Sequence, residues 1–210
     1  MATKRTLSAK TENARTRLLK AALTLIRAQG YSATSVDELC AGAGVTKGAF
    51  FHHFASKEAL GVAAADYWSQ TTGELFAGAP YHRHADPLDR VLGYIDFRAG
   101  LLNGPPEAFT CLVGTMVQEA FGSSPAIRQA CEASIRGHAA RLEADIGEAM
   151  ERYGVSGFSI ASLALHTQAV LQGAFILAKA RGGPEIARDS VDHLRRYLTL
   201  LFRHPDPARS

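Results

Sequence analysis

Residues 35–54 read SVDELCAGAGVTKGAFFHHF. They predict two short helices joined by a tight turn. Ser35 suits an N-cap, whose hydroxyl takes a backbone N–H left free at a helix start. Asp37 and Glu38 then fall in the first turn, where the helix dipole favours negative charge. Val36, Leu39, Cys40 and Ala43 recur at helical spacing and make one apolar face. Gly44 can take the left-handed conformation that ends a helix. Thr46 caps a second helix over Lys47–His53. Phe50 and Phe54 point to one side of it, and Lys47, Gly48, Phe51 and His52 stay free on the other. Two helices in this arrangement form a helix-turn-helix, whose second helix enters the major groove of DNA. Cys40 sits where the helices cross and reads as a small buried hydrophobe.

Composition narrows the remainder. The chain has 210 residues, 47% of them hydrophobic and 20% charged, as expected of a globular protein with a substantial core. Cys40, Cys111 and Cys131 are an odd number without CxxC spacing. This favours a reducing cytoplasm over a disulfide framework or zinc site. The polar, basic N-terminus does not read as a secretory signal. No apolar run reaches the roughly 18 residues needed to span a bilayer, so no membrane partner is expected. Residues 1–57 carry nine Lys and Arg against three acids, whereas the remainder is net −3. A basic first quarter fits a polyanion partner for that quarter alone.

All segments read as helical, with no strand-like alternation. Residues 1–10 read as a basic arm, with Lys4, Arg5 and Lys10 able to reach a DNA backbone or minor groove, or as an inert, disordered start. A helix over Thr11–Gln29 shows an apolar stripe and a stop at Gly30. Another starts at the Ser56 cap and runs to Phe76. The stretch 78–87 breaks the pattern; its Tyr81, His82 and His84 match no metal spacing. Helices follow over 87–102, 109–121 and 124–153. The last two helices, 158–180 and 184–203, differ in kind. The first is apolar nearly all round, so a single subunit's core cannot cover it. This predicts a homodimer built on a four-helix interface, with Leu163, Val170, Ala174, Leu177, Leu194, Leu198 and Leu201 facing the partner. Gln172, Gly173 and Ala174 would permit a close crossing. Two ordinary core helices of a monomer are the alternative.

The run LIRAQGYSATSVDELCAGAGVTKGAFFHHFASKEAL, residues 25–60, resembles the DNA-binding domain of TetR-family transcriptional regulators. The glycines, the Thr-Lys-Gly opening of the second helix, the aromatic-His-His-Phe close and the Ser-Lys-Glu start of the next helix carry the resemblance. The rest of the chain matches the family's helical plan through weaker signals. The resemblance implies an all-α protein of about nine helices. Residues 1–56 would form the helix-turn-helix domain, and residues 57–210 a ligand-binding and dimerisation domain. It also implies a palindromic DNA operator, a homodimer and a small-molecule effector, with no cofactor and no catalytic residue.

The resemblance further implies residue roles. Thr46, Lys47 and Gly48 match positions that approach bases and nearby phosphates. Phe51 stands where the family often has a tyrosine that bonds a phosphate, and here that bond cannot form. His52 and Lys57 match backbone-contacting positions, and Thr34 and Ser35 would cap a phosphate. With little side chain on Gly48 and Ala49, direct readout falls largely to Lys47. Polar residues among apolar ones nominate an effector pocket: Trp68, Phe97, Cys111, Met116, Gln118, His138, His166, Gln168 and Gln172. Cys111, in Thr110-Cys111-Leu112, resembles a Gly-Cys-Leu feature of some TetR-like regulators, including ones that sense electrophiles or oxidants, and a plain pocket-lining role is the alternative. Two other functions fit less well: a DNA-binding protein without an effector, and an enzyme using Cys111 or His138 with Glu119. No nucleophile–base–orienter set supports the enzyme.

Overall fold

The computed structural model describes residues 12–203, so the arm at 1–10 with Lys4, Arg5 and Lys10 lies outside it, as does Thr11. Among the described residues there are eleven α-helices and one 3-10 helix, and no strand. The all-α expectation is met. The first helix, α1, spans Ala14–Gln29; Asn13 caps it by accepting the Thr16 N–H at 2.8 Å. The helix-turn-helix is α2 (Val36–Ala43) and α3 (Lys47–His53). Helix α4 (Lys57–Ala77) starts at the Ser56 cap. A 3-10 turn over Pro80–Arg83 leads into α5 (Pro87–Gly100). There Tyr81 is buried in the core, while His82 and His84 are exposed.

One expected helix starts late and another is divided. The 109–121 helix is α7 (Leu112–Ala120), preceded by a short helix, α6 (Pro106–Phe109), where the sequence predicts a break, with Thr110 and Cys111 extended between them. The 124–153 segment is α8 (Pro125–Ala140) and α9 (Glu143–Tyr153). At the break between these two the Arg141 and Leu142 N–H groups bond three residues back, to His138 and Ala139. The chain tightens there just after Gly137, but the stripe His138, Leu142, Ile146, Met150 runs on in register, so the apolar pattern carries no sign of it.

The last pair is α10 (Ile160–Arg181) and α11 (Glu185–Arg203), packed against each other. The expected interface set needs correction. Leu163, Ala174, Leu194 and Leu198 are buried within the subunit, and Val170 and Leu201 pack against the same core; of the seven, Leu177 alone is exposed. The outward apolar residues are instead Leu165, Ile176 and Leu177 on α10 with Tyr197 and Leu200 on α11, between 43% and 60% exposed. The His166 and Tyr197 rings meet at 5.4 Å across this face. A helix apolar on every side gives no polar stripe from which to read its inner face. Helix α10 is also, by length and composition, apolar enough to cross a membrane, contrary to the sequence expectation. Its inner side nevertheless carries buried Thr167 and Gln168.

Packing does not divide the chain at residue 56. One core cluster joins Leu18, Ile26, Leu39, Phe50 and Phe54 of the head with Leu60 and Ala64 of α4, Leu112 and Met116 of α7, and Ile127 and Cys131 of α8. The other joins α5, α9, α10 and α11 around Tyr94, Ile95, Ile146, Leu171 and Leu198. Cys40 and Cys131 are both buried in the first, which pushes their thiol pKa values up, Cys131 to about 12.

Candidate nucleic-acid interface and effector cavity

The turn that aims α3 is fully specified by local bonds. Ser35 Oγ accepts the Glu38 N–H at 3.2 Å while the Glu38 carboxylate accepts the Ser35 N–H at 2.8 Å, a reciprocal cap. These bonds, with those from the Ser35 hydroxyl and Gln29, hold the Glu38 carboxyl below its usual pKa. Gly44 ends α2 in the left-handed region, φ +61°. Thr46 Oγ1 then accepts the Ala49 N–H at 3.1 Å and starts α3.

Phe50 and Phe54 anchor α3 in the core. Its outer face presents Thr46, Lys47, Gly48, Phe51 and His52, all exposed, with Phe51 57% exposed. Phe51 rests edge-on against Phe50 at 5.2 Å, which holds a large apolar ring toward solvent. Lys47 Nζ lies 2.8 Å from Asp37, and both side chains are exposed. A pair so exposed is weak, so an incoming phosphate can replace the carboxylate. Gly48 is not required by close packing within the subunit. A Cβ added there would meet only Thr46 Oγ1, at 3.7 Å.

Two of the expected phosphate contacts, Lys57 and Thr34, are placed differently. Lys57 donates to the carbonyls of Tyr31, Ser32 and Thr34 at 3.0–3.3 Å and lies 4.5 Å above the Tyr31 ring, so its ammonium organises the α1–α2 connection. Thr34 is buried and its hydroxyl donates to the Gly30 carbonyl at 2.6 Å. Ser35 is exposed, with its hydroxyl engaged at the α2 cap. Arg27 turns away from the head. Arg15 and Arg17 are exposed without an ion pair among the described residues, and Arg17 reaches the Gly44 carbonyl at 3.4 Å.

A cavity of about 150 Å³ opens between α1, α4, α5, α7, α8 and α10. Trp68, Cys111, His138, Gln168 and Gln172 line it, as the sequence suggested. Phe97 packs against Phe76 and Tyr81 instead, and Met116 is wholly buried in the head-side core. His166 is on the outer surface. Gln118 is exposed, donates to the Gly114 carbonyl and borders a neighbouring cleft. Sequence reasoning missed Arg27, Thr72, Phe76, Arg98, Phe109 and Phe175 among the lining residues. Arg98 was findable: it stands four residues after buried Tyr94 on the inner stripe of α5. Arg27 reads from sequence as one more charge of the basic head.

A polar network floors the cavity. Tyr94 Oη accepts from Arg98 Nε and from Gln168 Nε2, each at 3.0 Å, leaving its hydroxyl proton for His138 Nε2 at 3.1 Å. Arg98 Nη2 also meets His138 Nε2, at 2.8 Å. With two donors on Nε2, the ring is neutral and its proton sits on Nδ1. Burial, with Arg98 and Arg141 nearby, lowers the His138 pKa to about 3. Arg98 also stacks over Phe76 at 4.4 Å. Arg27 lies over Trp68 at 5.2 Å and donates to the Leu23 and Ala108 carbonyls. Cys111 borders both this cavity and the neighbouring cleft, and its Sγ accepts the Gly114 N–H at 3.5 Å. Glu119, suggested with Cys111 and His138 for an enzyme, instead accepts the Ser32 N–H at 2.7 Å, where body meets head.

Known proteins match both parts of the chain. Residues 18–64 match the family model for bacterial regulatory proteins, tetR family. Residues 87–190 match the C-terminal domain of LmrA/YxaF-like transcriptional regulators. The HTH-type transcriptional regulator YerO of Bacillus subtilis is 40% identical over 52 residues, 25% of this chain and 18% of YerO. The transcriptional regulator AcuR of Cereibacter sphaeroides is 31% identical over 114 residues, 51% of this chain and 49% of AcuR. The chain thus spans half or less of these relatives. A TetR transcriptional regulator from Chloroflexus aurantiacus superposes with a TM-score of 0.76 at 26% identity, covering 89% of this chain and 94% of that one. Reduced NemR of E. coli gives 0.75 at 24% identity, covering 88% and 96%, a similarity of fold.

Proposed function

Because the chain belongs to the TetR family of bacterial transcriptional regulators, we propose that it is a homodimeric repressor that leaves a palindromic operator when a small molecule fills the Trp68–His138 cavity. The observation that carries this reading is the double membership of α1. Leu18, Leu19, Ala22 and Ile26 of that helix build the core that supports α2 and α3, while Arg27, one residue on, lines the cavity. A ligand that displaces Arg27 therefore bears on the helix that carries the reading head. The contact from Arg27 to Ala108 and the one from Ser32 to Glu119 offer the same route.

In the dimer, Leu165, Ile176, Leu177, Tyr197 and Leu200 meet their counterparts. Each α3 enters a major groove, with the two heads set about 34–36 Å apart for adjacent turns. The effector shifts the population toward a spacing that misses these grooves, and it does so only by binding that state more tightly. Thr46, Lys47, Phe51 and His52 face the DNA, and Gly48 lets the two backbones approach. Lys57 and Thr34 support the head from within. Residues up to about 56 contact DNA, and those beyond bind ligand and partner in the cytoplasm.

Selection of operators from random DNA by the purified protein, repeated against a small-molecule library, tests the reading. A selected palindrome and a compound that releases it are expected. No enriched sequence would sink the DNA-binding part; an enriched sequence that no compound releases would favour an effector-independent regulator.

The position of Cys111 supports a second trigger on the same scaffold. Its thiol is half-buried at the N-terminus of α7 and accessible from two cavities. An electrophile or oxidant that modifies it would occupy the ligand's place. Operator binding that survives complete alkylation of Cys111 rules this out.

A further inference from the structure

The charge inventory of the cavity is one-sided. Arg27 and Arg98 line it, and no Asp or Glu does. Neither guanidinium has a carboxylate partner among the described residues. What Arg98 meets is neutral: the Tyr94 hydroxyl, the neutral His138 ring and the Phe76 face. Arg27 is held by two carbonyls and the Trp68 face. Of the five N–H donors of Arg98, one on Nε and one on Nη2 are used, so three remain. Tyr94, Gln168 and His138 fix the plane of that group before any ligand arrives. Both side chains are only partly buried, and a cation that has given up part of its hydration gains from an anionic partner.

We propose that the effector is a small organic carboxylate, its anionic end held by Arg98 and its apolar body lying among Trp68, Phe76, Phe109 and Phe175. This rests on the cavity being the effector site. A guanidinium offers paired N–H groups that match a carboxylate. Aromatic walls bury the rest of a flat or short-chain acid. Thr72, Ser134 and Gln172 on the lining supply further hydrogen bonds. When the acid enters, it supplies the negative charge missing around Arg98 and draws on Arg27 as well, which reaches α1.

The test is calorimetric titration of the full-length protein with benzoate and hexanoate, each paired with its neutral amide. Carboxylates are expected to bind at least about tenfold more tightly than their amides, since charge-assisted hydrogen bonds outweigh neutral ones. Arg98→Met removes that preference. Because Arg98 also supports Tyr94 and His138, Arg27→Gln, outside that network, provides a second variant, expected to weaken carboxylate binding with the network intact. Circular dichroism confirms that both variants fold. Amides binding as well as acids would overturn the anion assignment while leaving the effector cavity standing. So would carboxylate binding indifferent to both variants. Failure of both series to bind overturns the carboxylate proposal and counts against the cavity itself.

Discussion

Gly48 lowers the intrinsic stability of α3, since glycine in a helix is about 1 kcal/mol less favourable than alanine. Nothing inside the subunit requires it, because an added Cβ would make only an ordinary contact with the Thr46 hydroxyl. Its smallness therefore faces outward. Gly48→Ala is expected to raise the melting temperature slightly and to weaken operator binding, measured by thermal unfolding and fluorescence anisotropy. Unchanged affinity would mean that DNA does not approach this backbone closely. His138 makes a second prediction at this scale. Its pKa falls from 6.5 in the unfolded chain to about 3 in the fold. Between these values the unfolded state binds the extra proton, so stability is complete above about pH 6.5 and declines as pH falls toward 3. The slope from this one group is about 1.4 kcal/mol per pH unit. His138→Gln should flatten that part of a stability–pH curve. The residues at the α2–α3 turn were legible because local capping chemistry fixes them. Arg27 was not, because nothing local says which way a long side chain on α1 turns.

At the scale of elements, α10 and α11 separate inner from outer apolar surface. Leu198→Ala on the inner side should cost about 2–5 kcal/mol, as core truncations do, without changing the oligomeric state. Ile176→Glu with Leu177→Glu on the outer side should leave folding intact and give monomers by sedimentation velocity. Dimers that persist would move the interface elsewhere. The sequence revealed that these helices exist and need cover, but not which side of each faces in. Helical periodicity identifies a face only where polar residues interrupt it, and α10 has few. The break between α8 and α9 was hidden for a related reason: its apolar stripe continues through Leu142 as though the helix did.

Across the whole molecule, the head touches the body at defined points: Arg27 with Ala108, and Ser32 with Glu119. Glu119→Ala is expected to leave operator affinity nearly intact and to reduce release by ligand several-fold, because it removes one connection between α7 and the head. Affinity and release falling together would show that the contact serves folding instead. This scale was the least legible from sequence, since both of these contacts join residues more than 60 positions apart.

The placement of Arg27 bears on how such regulators can be recombined. A chimera cut near residue 56 looks natural from the sequence, with a reading head transplanted whole onto a new sensor. Here that graft would carry away part of the cavity's wall and install a foreign residue in its place. Hybrids of this scaffold should keep position 27 with the recipient body, or they will recognise their operator and ignore their signal.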